Sequence, residues 1–333
     1  MKIVCVGSSS VDIFFPTEEG IISDTPDELT SQRKFSFELG AKYQIEDRYE
    51  FFGGCAANVA VGLSRLGVEV SCYSRIGKDH LGNMIEHMLK KEGVETSLIQ
   101  HDEKYKSDLS AIIVDKKSGE HTIFFNRDAN EKLDVICDEF SDFDWIFVSA
   151  LNGDWKGNLG KISDHCRRSG TKMILNPGQR NLKDDCGKVI EAVKQAEVLI
   201  LNKDEALEIV MFEDKNCSKE ELESEEFLMK KLKNLGPNIV ALTDGARGAW
   251  VYDGESFFFT ETMGKNPVET TGAGDAFSSG FVSAYLKGKD IEECLRWGII
   301  NSGSSLNFYG AIEGLLKEKD MEREKDKAEI KKL

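Results

Sequence analysis

No stretch of this sequence approaches the roughly 18 consecutive apolar residues that a membrane helix requires, so no membrane span is expected. Eight cysteines stand at 5, 55, 72, 137, 166, 186, 217 and 294 without a single Cys-x-x-Cys pair. A chain of 333 residues can bury a full core without disulfide staples, so reduced and mostly buried thiols are expected. Five histidines, at 80, 87, 101, 121 and 165, show neither His-x-x-x-His nor Cys-rich spacing, which argues against a structural or catalytic zinc site. Basic charge is scarce, since 43 Lys and Arg face 59 Asp and Glu and leave a net charge of −16. Such a surface repels a phosphate backbone or an anionic bilayer, so neither nucleic acid nor a membrane is the expected partner; a local basic pocket for a small anion stays open. There is no internal repeat.

What is present is a globular composition, 40% hydrophobic and 31% charged, with room for one large domain or two small ones. The opening Met-Lys-Ile-Val-Cys-Val-Gly reads as a first strand and not as a secretory leader, which places the protein in the cytoplasm. Short apolar runs at Ile3–Val6, Val68–Ser71, Trp145–Val148, Met173–Leu175, Val198–Leu201 and Ile239–Leu242 alternate with helical patterns. Those patterns cover Asn58–Leu66, Leu81–Glu92, Lys188–Gln195, Glu225–Leu235, Asp275–Lys287 and Ile291–Leu306. This βαβα rhythm predicts an α/β fold around a mostly parallel sheet. Two stretches break it, about 13–51 and about 104–128, where polar alternation such as Ser110-Ala-Ile-Ile-Val-Asp predicts one accessory sheet laid over the main one. The charged stretch 317–333 reads as a solvated helix or a frayed tail beyond a domain spanning 1–316.

The most informative segment is Glu269-Thr-Thr-Gly-Ala-Gly-Asp-Ala-Phe, which runs into a helical pattern. Gly272 and Gly274 permit a tight turn that aims the backbone N–H groups of the Gly272-Ala273-Gly274 run outward at the positive end of the helix dipole, an anion hole suited to phosphate. Asp275 falls in the first turn, where its carboxylate could take a proton from an attacking hydroxyl. An Asp capping a helix after a glycine-rich loop accounts for the same residues without chemistry.

A second segment, Phe51-Phe-Gly-Gly-Cys-Ala-Ala-Asn, opens a helix with small residues. Gly53 and Gly54 allow close approach by a ligand, and Asn58 is a polar residue on an otherwise apolar helix. Together with Asp12, just after the first strand, it offers donors and acceptors for sugar hydroxyls. Tight helix-on-sheet packing explains Ala56, Ala57 and Ala60 equally well. Cys55 reads either as a thiol near the substrate or as a small packing residue.

These two segments resemble the two signatures of the ribokinase-like, PfkB-type family of carbohydrate and nucleoside kinases, and Ile76-Gly-Lys-Asp-His-Leu-Gly, Asn176-Pro-Gly, Asn202-Lys-Asp-Glu and Thr243-Asp-Gly-Ala-Arg-Gly follow in the family's order. The resemblance implies a three-layer α/β/α sandwich with a small β-sheet lid, a sugar-like substrate under the lid, and ATP along the carboxyl ends of the strands. It implies Asp275 as general base toward a primary hydroxyl, Gly272, Ala273 and Gly274 as anion hole, and Asp12, Gly53, Gly54 and Asn58 on the substrate. Asn202 and Glu205 match an Asn-x-x-Glu that organises Mg²⁺ through water. Thr243 and Gly245 resemble the nucleotide-phosphate loop, and Asn301 is assigned to the adenine pocket. Glu269 stands where many relatives carry an Asp that holds a monovalent cation, which makes K⁺ a candidate activator. Asn126-Arg-Asp-Ala-Asn resembles a lid-return motif that more often has Gly in place of Asp128. Its Arg127 could reach a substrate carboxylate or phosphate, or lie solvated on the ribbon.

Three functional readings follow, ordered as a sugar kinase, a nucleoside kinase of the adenosine type, and a catalytically silent binder on the same fold. Relatives often pair through their lids, and the 104–128 ribbon would permit a homodimer.

Overall fold

Runs such as Lys2–Val6 and Val198–Asn202 form strands because their β-branched and aliphatic side chains can be buried on both faces of a parallel sheet. A computed structural model of the chain describes residues 1–24, 33–117, 121–263, 267–268 and 270–333. Its central sheet has nine strands in the order Lys331–Lys332, Phe257–Thr260, Ala249–Tyr252, Ile239–Thr243, Val198–Asn202, Lys172–Leu175, Trp145–Val148, Lys2–Val6 and Glu69–Tyr73. Every pairing from Ile239–Thr243 to Glu69–Tyr73 is parallel, and the three at the other edge are antiparallel.

Alternate residues of each strand serve two separate cores, which makes the architecture a three-layer sandwich. Ile3 and Cys5 face the helices Cys55–Arg65, His80–Lys91, Ala273–Leu286 and Ile291–Ser305. Val4 and Val6 face Trp155–Ser169, Gln179–Val193, Lys203–Glu213 and Glu225–Asn234. Parallel strands require crossovers, so all their carboxyl ends open on one side, where ligands bind in this class of fold.

The accessory sheet is four-stranded, ordered His121–Asn126, Asp108–Asp115, Ser10–Thr17 and Tyr49–Gly53. It begins at Ser10, slightly before the expected segment, because the first lid strand follows the first core strand after a three-residue turn. Residues 25–32 and 118–120 of the two expected lid segments lie outside the described residues. An aromatic cluster seats the lid: Phe14 meets Phe51 at 5.6 Å and Tyr309 at 6.0 Å between ring centroids, and Tyr49 stacks on Tyr309 at 5.4 Å.

The charged tail is docked instead of frayed. Glu318–Glu324 is helical with Met321 fully buried, Ala328 is buried, and Lys331–Lys332 pairs with Phe258 and Phe259 to cover the sheet edge. Met321 and Ala328, with Ile330 partly buried against the same core, and a strand edge hold a segment that is otherwise mostly charged. All eight cysteines are free. No helix among the described residues is long and apolar enough to cross a membrane.

Candidate active site

The helix Ala273–Leu286 begins after Gly272, which adopts φ 77° and ψ 0°. That left-handed geometry, and an added Cβ that would lie 2.3 Å from the Ala311 Cβ, restrict the position to glycine. No side chain caps this helix, and the amides of Gly274 and Asp275 find no acceptor among the described residues. A Cβ on Gly274 would meet nothing within 4 Å. The result is an open helix N-terminus with outward N–H groups, able to hold a negatively charged oxygen.

Asp275 sits in that first turn. Its Oδ2 accepts a hydrogen bond of 2.8 Å from Asn58 Nδ2, which arrives from the opposing helix Cys55–Arg65. Burial pushes the Asp275 carboxyl up to about 6, against the lowering effects of Asn58 and of the neighbouring Cys55 thiol. A carboxyl at that value is ionised at neutral pH yet basic enough to accept a proton. Asn58 is itself buried, and its Oδ1 has no partner. With the amide nitrogen committed to Asp275, this oxygen is a buried acceptor awaiting a donor.

The lid supplies the other wall. Asp12 is buried on the strand Ser10–Thr17, and a Cβ at Gly53 would lie 2.0 Å from its Oδ2. Gly54, at φ 93°, packs on the backbone of Ser8 and Ser9, and Ser8 Oγ accepts from the Cys55 amide at 3.2 Å. Asp12, Gly53, Gly54, Asn58 and Asp275 are thereby linked in one cleft through successive contacts. The thiol of Cys55 is pushed well up, first by the Asp275 charge and then by burial, so it stays protonated at neutral pH; this favours the packing reading over a reactive thiol. Arg127, in the lid return, lies 3.7 Å from Asp108 and 5.1 Å from the ring centroid of Phe125.

A cavity of about 340 Å³ adjoins the anion hole. Thr243, Gly245 and Gly248 line it together with Ala273 and Gly274 of the helix start and the apolar side chains of Phe277, Ile299 and Leu306. Thr243 is the register partner of Asn202, at the ends of adjacent parallel strands. Asn202 and Glu205 form a reciprocal capping box: Asn202 Oδ1 accepts from the Glu205 amide at 2.9 Å, and Glu205 Oε2 accepts from the Asn202 amide at 3.0 Å. Burial pushes the Glu205 carboxyl up to about 6.

Asn301 is a correction. It is fully buried, its Nδ2 donates to Ala276 O and Ser279 Oγ at 2.9 and 3.1 Å, and its Oδ1 accepts from the Leu316 amide at 2.9 Å. Those bonds make it a strut between elements, and the cavity is lined instead by its helix neighbours Ile299 and Ser302. Each helical step turns the side chain about 100°, so a one-residue offset exchanges ligand for core. Ile76–Gly82 is also structural, since Asp79 caps the helix His80–Lys91 and accepts from the Ser107 amide at 2.8 Å. Glu269 lies outside the described residues.

A family model described as pfkB family carbohydrate kinase matches residues 2–313. An uncharacterized sugar kinase of Archaeoglobus fulgidus is 29% identical over 77% of this chain and 98% of its own length. A nucleoside kinase of Methanocaldococcus jannaschii is 26% identical over 91% of this chain and 89% of its own. Among solved structures, the ribokinase of Arabidopsis thaliana complexed with ribose and ATP superposes with a TM-score of 0.77 at 20% identity, covering 97% of each chain.

Proposed function

The chain belongs to the pfkB family of carbohydrate kinases, and on that premise we propose that it transfers the terminal phosphoryl group of ATP to a primary hydroxyl of a sugar or sugar-like acceptor, with Asp275 as general base. At the coarser level, this is a kinase acting on a sugar or a nucleoside. The observation that carries the finer reading is the Asn58–Asp275 pair. One end of the Asn58 amide holds the base, and the other presents an orphan acceptor that a hydroxyl next to the reacting one would satisfy. A polyol thus fills the site's unmet hydrogen bond while its primary hydroxyl lies against Asp275. Asp12, Gly53 and Gly54 complete the acceptor side in this reading, with the glycines leaving room where a side chain would displace the Asp12 carboxylate.

Phosphoryl transfer depends on in-line positioning and on neutralising charge at the transferred oxygens. The Gly272–Gly274 turn and the open helix end offer N–H groups for that charge, next to the cavity that would take the nucleotide through Thr243 and Gly245. Bound Mg²⁺ would neutralise phosphate charge. Among the described residues no three ionisable side chains converge as a metal cage, so Glu205, with help from Asn202, would meet the ion through water. Glu269 with K⁺ remains part of the proposal on sequence grounds. Among the described residues the strand His121–Asn126 is the edge of the lid sheet, with Phe124 62% exposed, which supports a lid-to-lid homodimer. The free thiols fit a cytoplasmic enzyme. A nucleoside acceptor is the second reading, favoured by similarity to the M. jannaschii protein along nearly the whole chain.

The test is a coupled ADP-release assay with Mg²⁺ and ATP, with and without K⁺, across ribose, fructose, 2-keto-3-deoxygluconate, adenosine and other nucleosides. We expect a sugar to raise ADP release well above the acceptor-free rate. Stimulation by nucleosides alone would replace the sugar reading with the second, and no stimulation by any acceptor would contradict both.

A further inference from the structure

Four charged side chains close a ring beside the turn Thr243–Gly248. Lys203 Nζ lies 2.5 Å from Glu225 Oε1, and the same oxygen accepts from Arg247 Nη2. Arg247 Nε lies 3.2 Å from Asp244 Oδ2, and that oxygen lies 3.9 Å from Lys203 Nζ. Charges alternate around the ring, so each neighbour attracts the next. The side chains of Lys203 and Glu225 are only 14% and 15% exposed, which sets them apart from ion pairs in open solvent, where screening removes most of the gain. Burial raises the Glu225 carboxyl, but Lys203 and Arg247 outweigh it and hold the group below its ordinary range, so it is ionised at neutral pH.

Three elements meet in this ring. Lys203 opens the helix Lys203–Glu213 directly after Asn202, and Glu225 opens the helix Glu225–Asn234 with Ser224 as its cap. Asp244 and Arg247 belong to the tip of the hairpin between Ile239–Thr243 and Ala249–Tyr252. That tip has two sides. Thr243, Gly245, Ala246 and Gly248 line the cavity next to the open helix end, whereas the charged groups of Asp244 and Arg247 are engaged in the ring. Strand register fixes Thr243 beside Asn202, and the bonds Arg247 N to Asp244 O at 2.8 Å and Gly248 N to Gly245 O at 3.3 Å shape the tip. These bonds are internal to the hairpin and do not set how the tip leans toward Asn202 and Glu205. Among the described residues, the ion pairs that reach it from outside the hairpin come from Lys203 and Glu225.

We propose, resting on the reading of this cavity as the nucleotide site, that Glu225 is a positioning residue: by gathering Lys203 and Arg247 on one oxygen, it holds the turn Thr243–Gly248 against the Asn202–Glu205 box and sets the spacing in which the nucleotide's phosphates are received. Glu225 itself touches no substrate. Without its charge, two cations share the single Asp244 carboxylate and repel each other, and the tip leans away from the box. The acceptor cleft at Asp12, Asn58 and Asp275 is built from other elements and does not feel the change.

The test is titration calorimetry of ADP and of a non-hydrolysable ATP analogue, with Mg²⁺, into the full chain. Wild type is compared with Glu225→Gln, Glu225→Ala, Arg247→Ala and the double variant Glu225→Ala with Arg247→Ala, each checked for its thermal transition. The KM of the acceptor that stimulates wild type is measured beside it at saturating nucleotide. We expect Glu225→Ala to weaken nucleotide binding roughly tenfold, and Glu225→Gln, which keeps an acceptor oxygen and loses the charge, to fall between. Acceptor KM should stay within about twofold of wild type. The double variant should lose little more than either single one, because both residues act through the same turn.

Wild-type nucleotide affinity in Glu225→Ala overturns the proposal whatever its melting temperature, and Glu225→Gln carries the comparison if the alanine variant does not fold. An equal loss for nucleotide and acceptor also overturns it, because the ring would then support the fold in general. Additive losses from Glu225 and Arg247 overturn it too, since Arg247 would then act on the nucleotide by itself. A wild type that binds no nucleotide removes the reading of the cavity and the proposal with it, whereas nucleotide binding indifferent to Glu225 removes the positioning role alone.

Discussion

Asp275 is kept in a place that suits a base and burdens the fold. Burial raises its carboxyl to about 6 from the ordinary 3.8, and no cation is in contact to offset it. The folded state therefore binds this proton more tightly than the unfolded chain, and stability falls as pH rises from about 4 through about 6. Above that window the full cost is present, on the order of 1–3 kcal/mol after allowing for partial exposure. Asp275→Asn is expected to raise the melting temperature by a few degrees at pH 8, with the gain shrinking as pH falls toward 4. Thermal scans across pH check this; a variant less stable at pH 8, or a gain independent of pH, would show that the carboxylate is not held at a cost. The residue scale is also where sequence reading divides. Asp275 and Asn58 were legible because a polar group at a glycine-rich turn or on an apolar helix face stands out. Asn301 stood out in the same way, but its partners Ala276, Ser279 and Leu316 come from other turns of the chain that no local pattern brings together.

At the scale of elements, one four-residue pattern carries two meanings. Asn202-Lys-Asp-Glu is a capping box that starts the helix Lys203–Glu213, and it ends a strand beside Thr243, which lines the cavity next to the open helix end. Glu205→Gln separates the meanings, since Gln at the third helical position still accepts from the cap amide while losing its charge. The melting temperature should not fall below that of wild type, because burial also raises the Glu205 carboxyl to about 6 and the amide removes that cost, whereas half-saturating Mg²⁺ for turnover should rise roughly tenfold. An unchanged Mg²⁺ requirement would leave the box a helix cap only.

The buried parallel strands were legible as apolar runs, within one or two residues of their observed ends. Ala249–Tyr252 and Phe257–Thr260 were not, because their aromatic stretches lie in a short antiparallel ribbon outside the alternating rhythm. The helix Gln179–Val193 was seen only from Lys188 onward, and the structure gives the reason: Asp185, at φ −160° and ψ 86°, breaks the helix and its side chain accepts from the Lys188 amide at 3.0 Å.

At the scale of the molecule, the cleft joins residues 12, 53–58 and 272–275, drawn from lid and sandwich at both ends of the chain. The order of motifs made the sandwich and its lid readable. What it could not convey was every contact closed by distant residues: Ala311 against Gly272, Arg127 opposite Asp108, and the charged tail on the far sheet edge. Such contacts depend on a three-dimensional packing that leaves no periodic trace in sequence. If Asp275 is the general base we propose, turnover should hinge on it while nucleotide binding does not. The direct test is ADP release by wild type and Asp275→Asn with the acceptor that stimulates wild type, beside nucleotide affinity measured by calorimetry. The account predicts a fall in kcat of roughly 10²–10⁴-fold with nucleotide affinity little changed; turnover near that of wild type would contradict it.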